Sequence, residues 1–255
     1  MKLVAILRIK NEIDLIHEAL EKLSSLADEI IIVDNGSTDG TLEAYKDYPK
    51  VIEVIETSGF NEGRDKIILL ESAKKRQPDW ILFLDADEIF EDNFTRSEIE
   101  QYMRSKYDRI NFRMCHFWLD KKHCRFDRKY FLYSLQPLRC MWRNRSDVYF
   151  RDEIIHNGDI QGNFKKIYFS PYRLKHFSLV NRQRILNKIK LYESVDNGVR
   201  NYSHMNPDLK FFTYPFLEFS NKHINYIFIW FLKYFFHFLW FWGALIFYLQ
   251  KLFKK

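Results

Sequence analysis

The sequence has no internal repeat and no low-complexity linker, so a solenoid or a pair of tethered modules is excluded and a compact chain is expected. Cysteine is scarce. Cys115, Cys124 and Cys140 are odd in number and lack close paired spacing, which argues against a disulfide framework and for free thiols in a reducing compartment. His116 and His123, beside two of them, leave a structural zinc site as the alternative. No apolar leader is visible either: Met1-Lys2 is followed directly by a short strand interrupted by Arg8 and Lys10, too brief for a secretory signal. No glycine-rich phosphate loop follows that strand, which disfavours nucleotidyl transfer on the same kind of sheet.

What is present points to a folded α/β chain. A length of 255 residues, with 47% hydrophobic and 29% charged residues, excludes disorder and suffices for one α/β core plus a smaller subdomain. The formal charge of +6 is modest, but cations crowd between Lys121 and Arg145, interleaved with aromatic residues such as Phe126, Tyr130 and Trp142. Such a patch suits nucleic acid, an anionic lipid or a phosphorylated sugar. No nucleic-acid motif accompanies it, so a lipid or glycan is the preferred partner and no nucleic acid is expected.

Asp85 and Asp87 follow the apolar run Trp80 to Leu84. That run reads as a buried strand, so both carboxylates emerge at its carboxyl end, where open α/β sheets bind ligands. Two carboxylates there suit a divalent cation shared with substrate phosphates. Upstream, Ile30 to Val33 reads as another buried strand, with Asp34 at its carboxyl end, followed by a turn-rich Asn35-Gly36-Ser37-Thr38-Asp39-Gly40. Ser37, Thr38 or Asp39 is placed to cap a helix beginning near Thr41. Leu3 to Leu7 and Val51 to Ile55 add strands, and Asn11 to Leu26 and Asn61 to Arg76 read as helices. The alternation predicts a right-wound, mostly parallel sheet with its site along the carboxyl edge.

Four ordered motifs, Leu7-Arg8-Ile9-Lys10-Asn11-Glu12, Val33-Asp34-Asn35-Gly36-Ser37-Thr38-Asp39-Gly40-Thr41, Asn61-Glu62-Gly63-Arg64 and Leu84-Asp85-Ala86-Asp87-Glu88, resemble those of family 2 glycosyltransferases of the GT-A fold. The resemblance covers the first half most strongly. It implies a nucleotide-sugar donor, inversion at the anomeric carbon and Mg²⁺ or Mn²⁺. By position, Asp34 would contact the base and Asp39 support the nucleotide loop. Asp85 would lie near ribose or metal, with Asp87 the principal metal ligand. Arg8, Asn11, Glu12 and Ala86 fall within the donor-binding motifs, and Arg64 would serve the diphosphate or remain a solvated helix residue.

Inversion needs a base for the acceptor hydroxyl. Arg151-Asp152-Glu153-Ile154-Ile155-His156-Asn157, then His176 and Lys188 to Tyr192, resemble the second half of bacterial lipopolysaccharide-core enzymes. Asn157 departs from that pattern, since an amide cannot serve as a base. The role falls to Glu153, or to Asp152; the alternative is that both are surface charges paired with Arg143, Arg145 or Arg151. By the same resemblance His176 would complete the metal shell or bind the leaving diphosphate, with His156 and Lys188 nearby.

From Ile224 to Leu252 aromatic and aliphatic residues dominate, and Lys251, Lys254 and Lys255 follow. A helix lying in the membrane interface is favoured, ahead of a single span and then of a buried helix. The expected divisions are a nucleotide-sugar half at 1–115, an acceptor and catalytic-base half at 116–205 and a membrane-associated segment at 206–255. The expected activity is transfer of a hexose from a nucleoside diphosphate, UDP foremost, to a hydroxyl of a lipid-linked saccharide at the cytoplasmic face of the inner membrane. Alternatives are transfer to polyprenyl phosphate and a membrane-bound nucleotide-binding protein without turnover.

Overall fold

The computed structural model describes residues 1–126, 137–155, 158–196 and 200–215. Residues 1–216 form one compact unit. The aromatic C-terminal segment, His156 and part of the basic cluster lie outside the described residues.

In the first half the expected alternation is found: β1 (Leu3–Ile9), α1 (Ile13–Leu26), β2 (Glu29–Asp34), a short α2 (Thr41–Ala44), β3 (Val51–Glu56), α3 (Glu62–Lys75) and β4 (Trp80–Asp85). Parallel strands covered on both faces need apolar residues at every position, and β1, β2 and β4 have them. Their two faces feed two cores. Leu3, Ala5 and Leu7 of β1, Ile30 and Ile32 of β2, and Trp80, Leu82 and Leu84 of β4 join Ile16, Leu20 and Leu23 of α1. The alternate residues Val4, Ile6, Ile31, Val33, Ile81 and Phe83 join Leu69, Leu70 and Ala73 of α3. The period of two along each strand thus sets which helix it meets.

The chain continues through β5 (Glu88–Phe90), α4 (Arg96–Arg104), β6 (Arg109–His116), β7 (His123–Phe126), β8 (Pro137–Arg143), β9 (Ile167–His176), α5 (Arg182–Asp196) and β10 (Phe212–Pro215). The large sheet runs β3-β2-β1-β4-β8-β6-β9-β5. Its β3-β2-β1-β4 half is parallel. In the other half β8 runs antiparallel to both β4 and β6, and β5 antiparallel to β9, so the sheet is mixed rather than nearly all parallel. The reversal comes from β8, which enters the centre of the sheet from the opposite end. The α2 turn is capped differently from expectation. Gly40, at φ +99°, takes the cap position, while Asp39 accepts the Thr41 N–H at 3.1 Å.

Among the described residues, three members of the basic cluster are set apart by the fold. Arg125 is buried, its guanidinium over Trp118 and Phe211 at 4.4 and 3.3 Å from the ring centroids, and it donates to the His204 carbonyl. Arg143 donates to the carbonyls of Met103, Ser105 and Tyr107. Arg139 lies in the cleft.

Candidate active site

The carboxyl ends of β1, β2 and β4 are level. Arg8 pairs with Asp85 across β1 and β4, and Ile9 with Asp34 across β1 and β2. Above that edge lies a cleft of about 550 Å³, floored by the strand ends and walled by α5. Arg8, Glu12, Asp85, Ala86, Asp87, His176 and Lys188 all line it. Asp85 ends the strand, Ala86 joins the core with Leu84 and Phe90, and Asp87, itself buried, borders the cleft.

Register also brings the second half to this edge. Glu88 pairs with His176 across β5 and β9, and His176 pairs with His116 across β9 and β6. The Phe177 N–H donates to the Asp87 carbonyl at 2.8 Å. As a result the His176 Nε2 stands 3.5 Å from Asp87 Oδ1, and its Nδ1 shares a proton with His116 Nδ1 at 2.8 Å. Lys188 Nζ lies 3.3 Å from Asp87 Oδ2 and donates to Ser178 Oγ at 2.5 Å. Burial opposes charge on Asp87, but Lys188 and His176 outweigh it and hold the carboxyl well below the usual carboxylate range. Burial pushes His116 well below the usual histidine range, so it is neutral.

Donor atoms of Asp87, Glu88 and His176 lie within 4.8 Å of one another, and Glu88 Oε1 is buried without a hydrogen-bond partner among the described residues. Carboxylate oxygens with one imidazole fit Mn²⁺, or Mg²⁺ through the oxygens. Glu88 is the member that the sequence reading passes over, although it sits within the fourth motif. Asp85 faces elsewhere. Its Oδ2 accepts from Arg139 at 2.7 Å and its Oδ1 is 3.5 Å from Arg8 Nε, while Arg139 also donates to Glu88 at 2.6 Å.

Several expected residues shape the site without lining it. Asp34 is fully buried: Oδ1 accepts from the Ser37 N–H at 2.7 Å and Oδ2 from the Tyr45 hydroxyl at 2.5 Å. Its neighbour Asn35 reaches the cleft instead. Asp39 accepts from Ile13 N–H, and Asn11 accepts from Thr38 N–H, which stitches the loop after β2 onto the start of α1. Arg64 is turned away, bonded to Asp65 and to the Ser58 and Gly59 carbonyls. Glu153 and Asp152 are solvent-exposed, and Glu153, 48% exposed, faces Arg151 at 3.7 Å. The backbone of that segment is engaged, because the Glu62 and Gly63 N–H groups donate to the Ile154 and Glu153 carbonyls at 2.9 Å. Asp159, from the same stretch of chain, does line the cleft and is paired with Arg109. No zinc-like cluster of cysteine and histidine occurs among the described residues; His123 bonds Asp120 instead.

Over 88 residues the chain is 34% identical to the O-antigen chain rhamnosyltransferase WbaN of Salmonella anatum, a match covering 34% of this chain and 27% of that protein. The chain therefore spans about a quarter of that relative's length. Among solved structures, S. aureus TarS 1-349 in complex with UDP-GlcNAc superposes over 80% of this chain and 69% of its own, at 16% identity and a TM-score of 0.49. The mannosyltransferase PcManGT from Pyrobaculum calidifontis, in complex with GDP-Man and Mn²⁺, superposes over 56% of this chain and 44% of its own, at 16% identity and a TM-score of 0.37. Residues 5–138, which carry all four motifs and the strands that level Asp85 and Asp87, match the family described as Glycosyl transferase family 2, and the chain belongs to that family.

Proposed function

We propose that this glycosyltransferase is an inverting, divalent-metal-dependent hexosyltransferase. It takes its sugar from a nucleoside diphosphate donor, UDP foremost, and gives it to a hydroxyl of a lipid-linked saccharide such as a lipopolysaccharide core or another cell-envelope glycan. The observation that carries the reading is the convergence of Asp87, Glu88 and His176 beyond the end of β4, with Asp87 and His176 lining the cleft and Glu88 fully buried beside them. The relative WbaN, an O-antigen rhamnosyltransferase, supports the envelope glycan, and the aromatic run from Ile224 to Leu252 supports work at the inner face of the membrane.

A bound Mn²⁺ or Mg²⁺ would neutralise the charge that develops on the departing diphosphate. Around it the chain's own groups have separate tasks. Asp87, Glu88 and His176 would hold the ion. Arg8 and Arg139 together outweigh burial and keep Asp85 ionised and in place. Lys188 offers an ammonium on the cleft wall for the departing diphosphate. The segment 152–159 supplies the carboxylates for proton removal from the acceptor, and Asp159 is the one that lines the cleft.

The test is thermal stabilisation by a panel of UDP-, GDP-, CMP- and dTDP-sugars, with and without Mn²⁺, in wild type and Asp87→Ala. A ligand that binds only the folded state raises its stability by about 3 kcal/mol at a hundredfold excess over Kd. Metal-dependent stabilisation by one nucleotide-sugar, lost in Asp87→Ala, is the expected result. No stabilisation by any donor would overturn the reading.

A further inference from the structure

Beside the main cleft lies a second cavity of about 390 Å³, lined by residues of the β1–α1 connection, Ser178 and α5. No residue of the β2 or β4 strand ends lines it, so it lies off the edge where the donor motifs converge. Its lining is made of donors. Lys10, Arg184, Lys188 and Lys190 are set against the single carboxylate of Glu12. Glu12 is already taken by Arg184, whose NH2 donates to it at 2.5 Å. Arg184 Nε remains buried without a hydrogen-bond partner among the described residues. Ser178 Oγ accepts from Lys188, so its own proton points elsewhere, and Asn187 Oδ1 accepts from Gln183, which leaves the Asn187 amide hydrogens to donate. Lys190 is exposed and carries no ion pair among the described residues.

Four cations against one carboxylate, itself paired with Arg184, suit an oxyanion and repel a cation. Lys188 borders both cavities and stands 3.3 Å from Asp87, so a group in the second cavity is one side chain from the reaction centre. We propose that this cavity binds a phosphate group carried by the acceptor saccharide, with Arg184 and Lys190 as its main ligands. The inference rests on the transferase reading and narrows its acceptor class to a phosphorylated glycan. The same chemistry would serve the donor's diphosphate, and the two sources separate experimentally.

The experiment titrates glucose 6-phosphate into the full chain by calorimetry, alone and with saturating UDP and Mg²⁺. Binding that persists with UDP present, and that weakens about tenfold in Lys190→Gln and in Arg184→Gln, is the expected result. Lys190→Glu, at an exposed position that folding does not depend on, should abolish it. Displacement of the sugar phosphate by UDP would assign the cavity to the donor's diphosphate and overturn the proposal. So would undiminished binding by Lys190→Glu, or no binding to wild type that does bind UDP. Failure of UDP to bind, with sugar-phosphate binding still dependent on Lys190, would overturn UDP as the donor nucleotide and leave the anion site standing.

Discussion

Glu12 shows how the cleft sets the state of a single side chain. Burial and the nearby Asp87 raise its carboxyl from the ordinary 4.5 to about 7, against the pull of Arg184. The folded protein therefore holds this proton to higher pH than the unfolded chain does. Stability from this group is fully present below about pH 4.5, declines as pH rises toward 7, and is flat beyond. Glu12→Gln should flatten that slope, a difference on the order of 2–3 kcal/mol between pH 4.5 and 8, checked by urea unfolding at both pH values. Arg139 argues in the opposite sense. It is 18% exposed and pairs with both Asp85 and Glu88. Arg139→Met would strand the buried Glu88 carboxylate and leave the half-buried Asp85 to Arg8 alone, and a loss of about 3–5 kcal/mol is expected in the same unfolding assay. For turnover, Asp159→Asn is expected to cost roughly 100-fold, while Asp152→Ala and Glu153→Ala, exposed outside the cleft, cost less than about tenfold. Steady-state rates with a cognate donor and acceptor would check this, and a large loss at Glu153 would return the base to the residue the sequence favours.

At the scale of elements, the start of α3 explains why its motif contains a glycine. A side chain at Gly63 would place its Cβ 2.5 Å from the Glu153 nitrogen and 2.9 Å from the Arg151 carbonyl oxygen. The helix N-terminus, with Asn61 bonding the Arg64 N–H and the 153–154 carbonyls accepting from Glu62 and Gly63, is closed by protein. Gly63→Ala must push the two segments apart, with an expected destabilisation of about 1–3 kcal/mol by thermal unfolding. The row Glu88, His176 and His116 is likewise an element-level product. Three strands distant in sequence share a register, and no spacing in the chain announces it. The neighbouring strands are the reverse case: apolar runs bounded by turn residues made β1, β2 and β4 readable, and the aspartates at the ends of β2 and β4 followed.

For the whole molecule, the consequence of β8 is cooperativity. It inserts between β4 and β6, so the parallel half has its Trp80, Phe83 and Leu84 strand covered only when residues beyond 115 are folded. A fragment ending at residue 115 should show no cooperative transition by circular dichroism, whereas residues 1–216 should unfold in one step. A stable fragment would mean that the parallel half holds its core unaided.

The sequence by itself determined the strand ends, the Asp85 and Asp87 pair and the family, because burial on both faces and turn chemistry are local and leave their pattern in consecutive residues. Only the tertiary structure decided which groups meet. It withdrew Asp34 and Arg64 into loop-bracing bonds, moved Arg139 from a supposed surface patch to the side of Asp85, and added Glu88, Asp159 and Arg184. Asp34 and Arg64 bond to partners within eleven residues of them, whereas the places of Arg139, Glu88, Asp159 and Arg184 depend on strand register and helix placement across separations of fifty residues and more, where charge and burial are settled by neighbours that local sequence does not name.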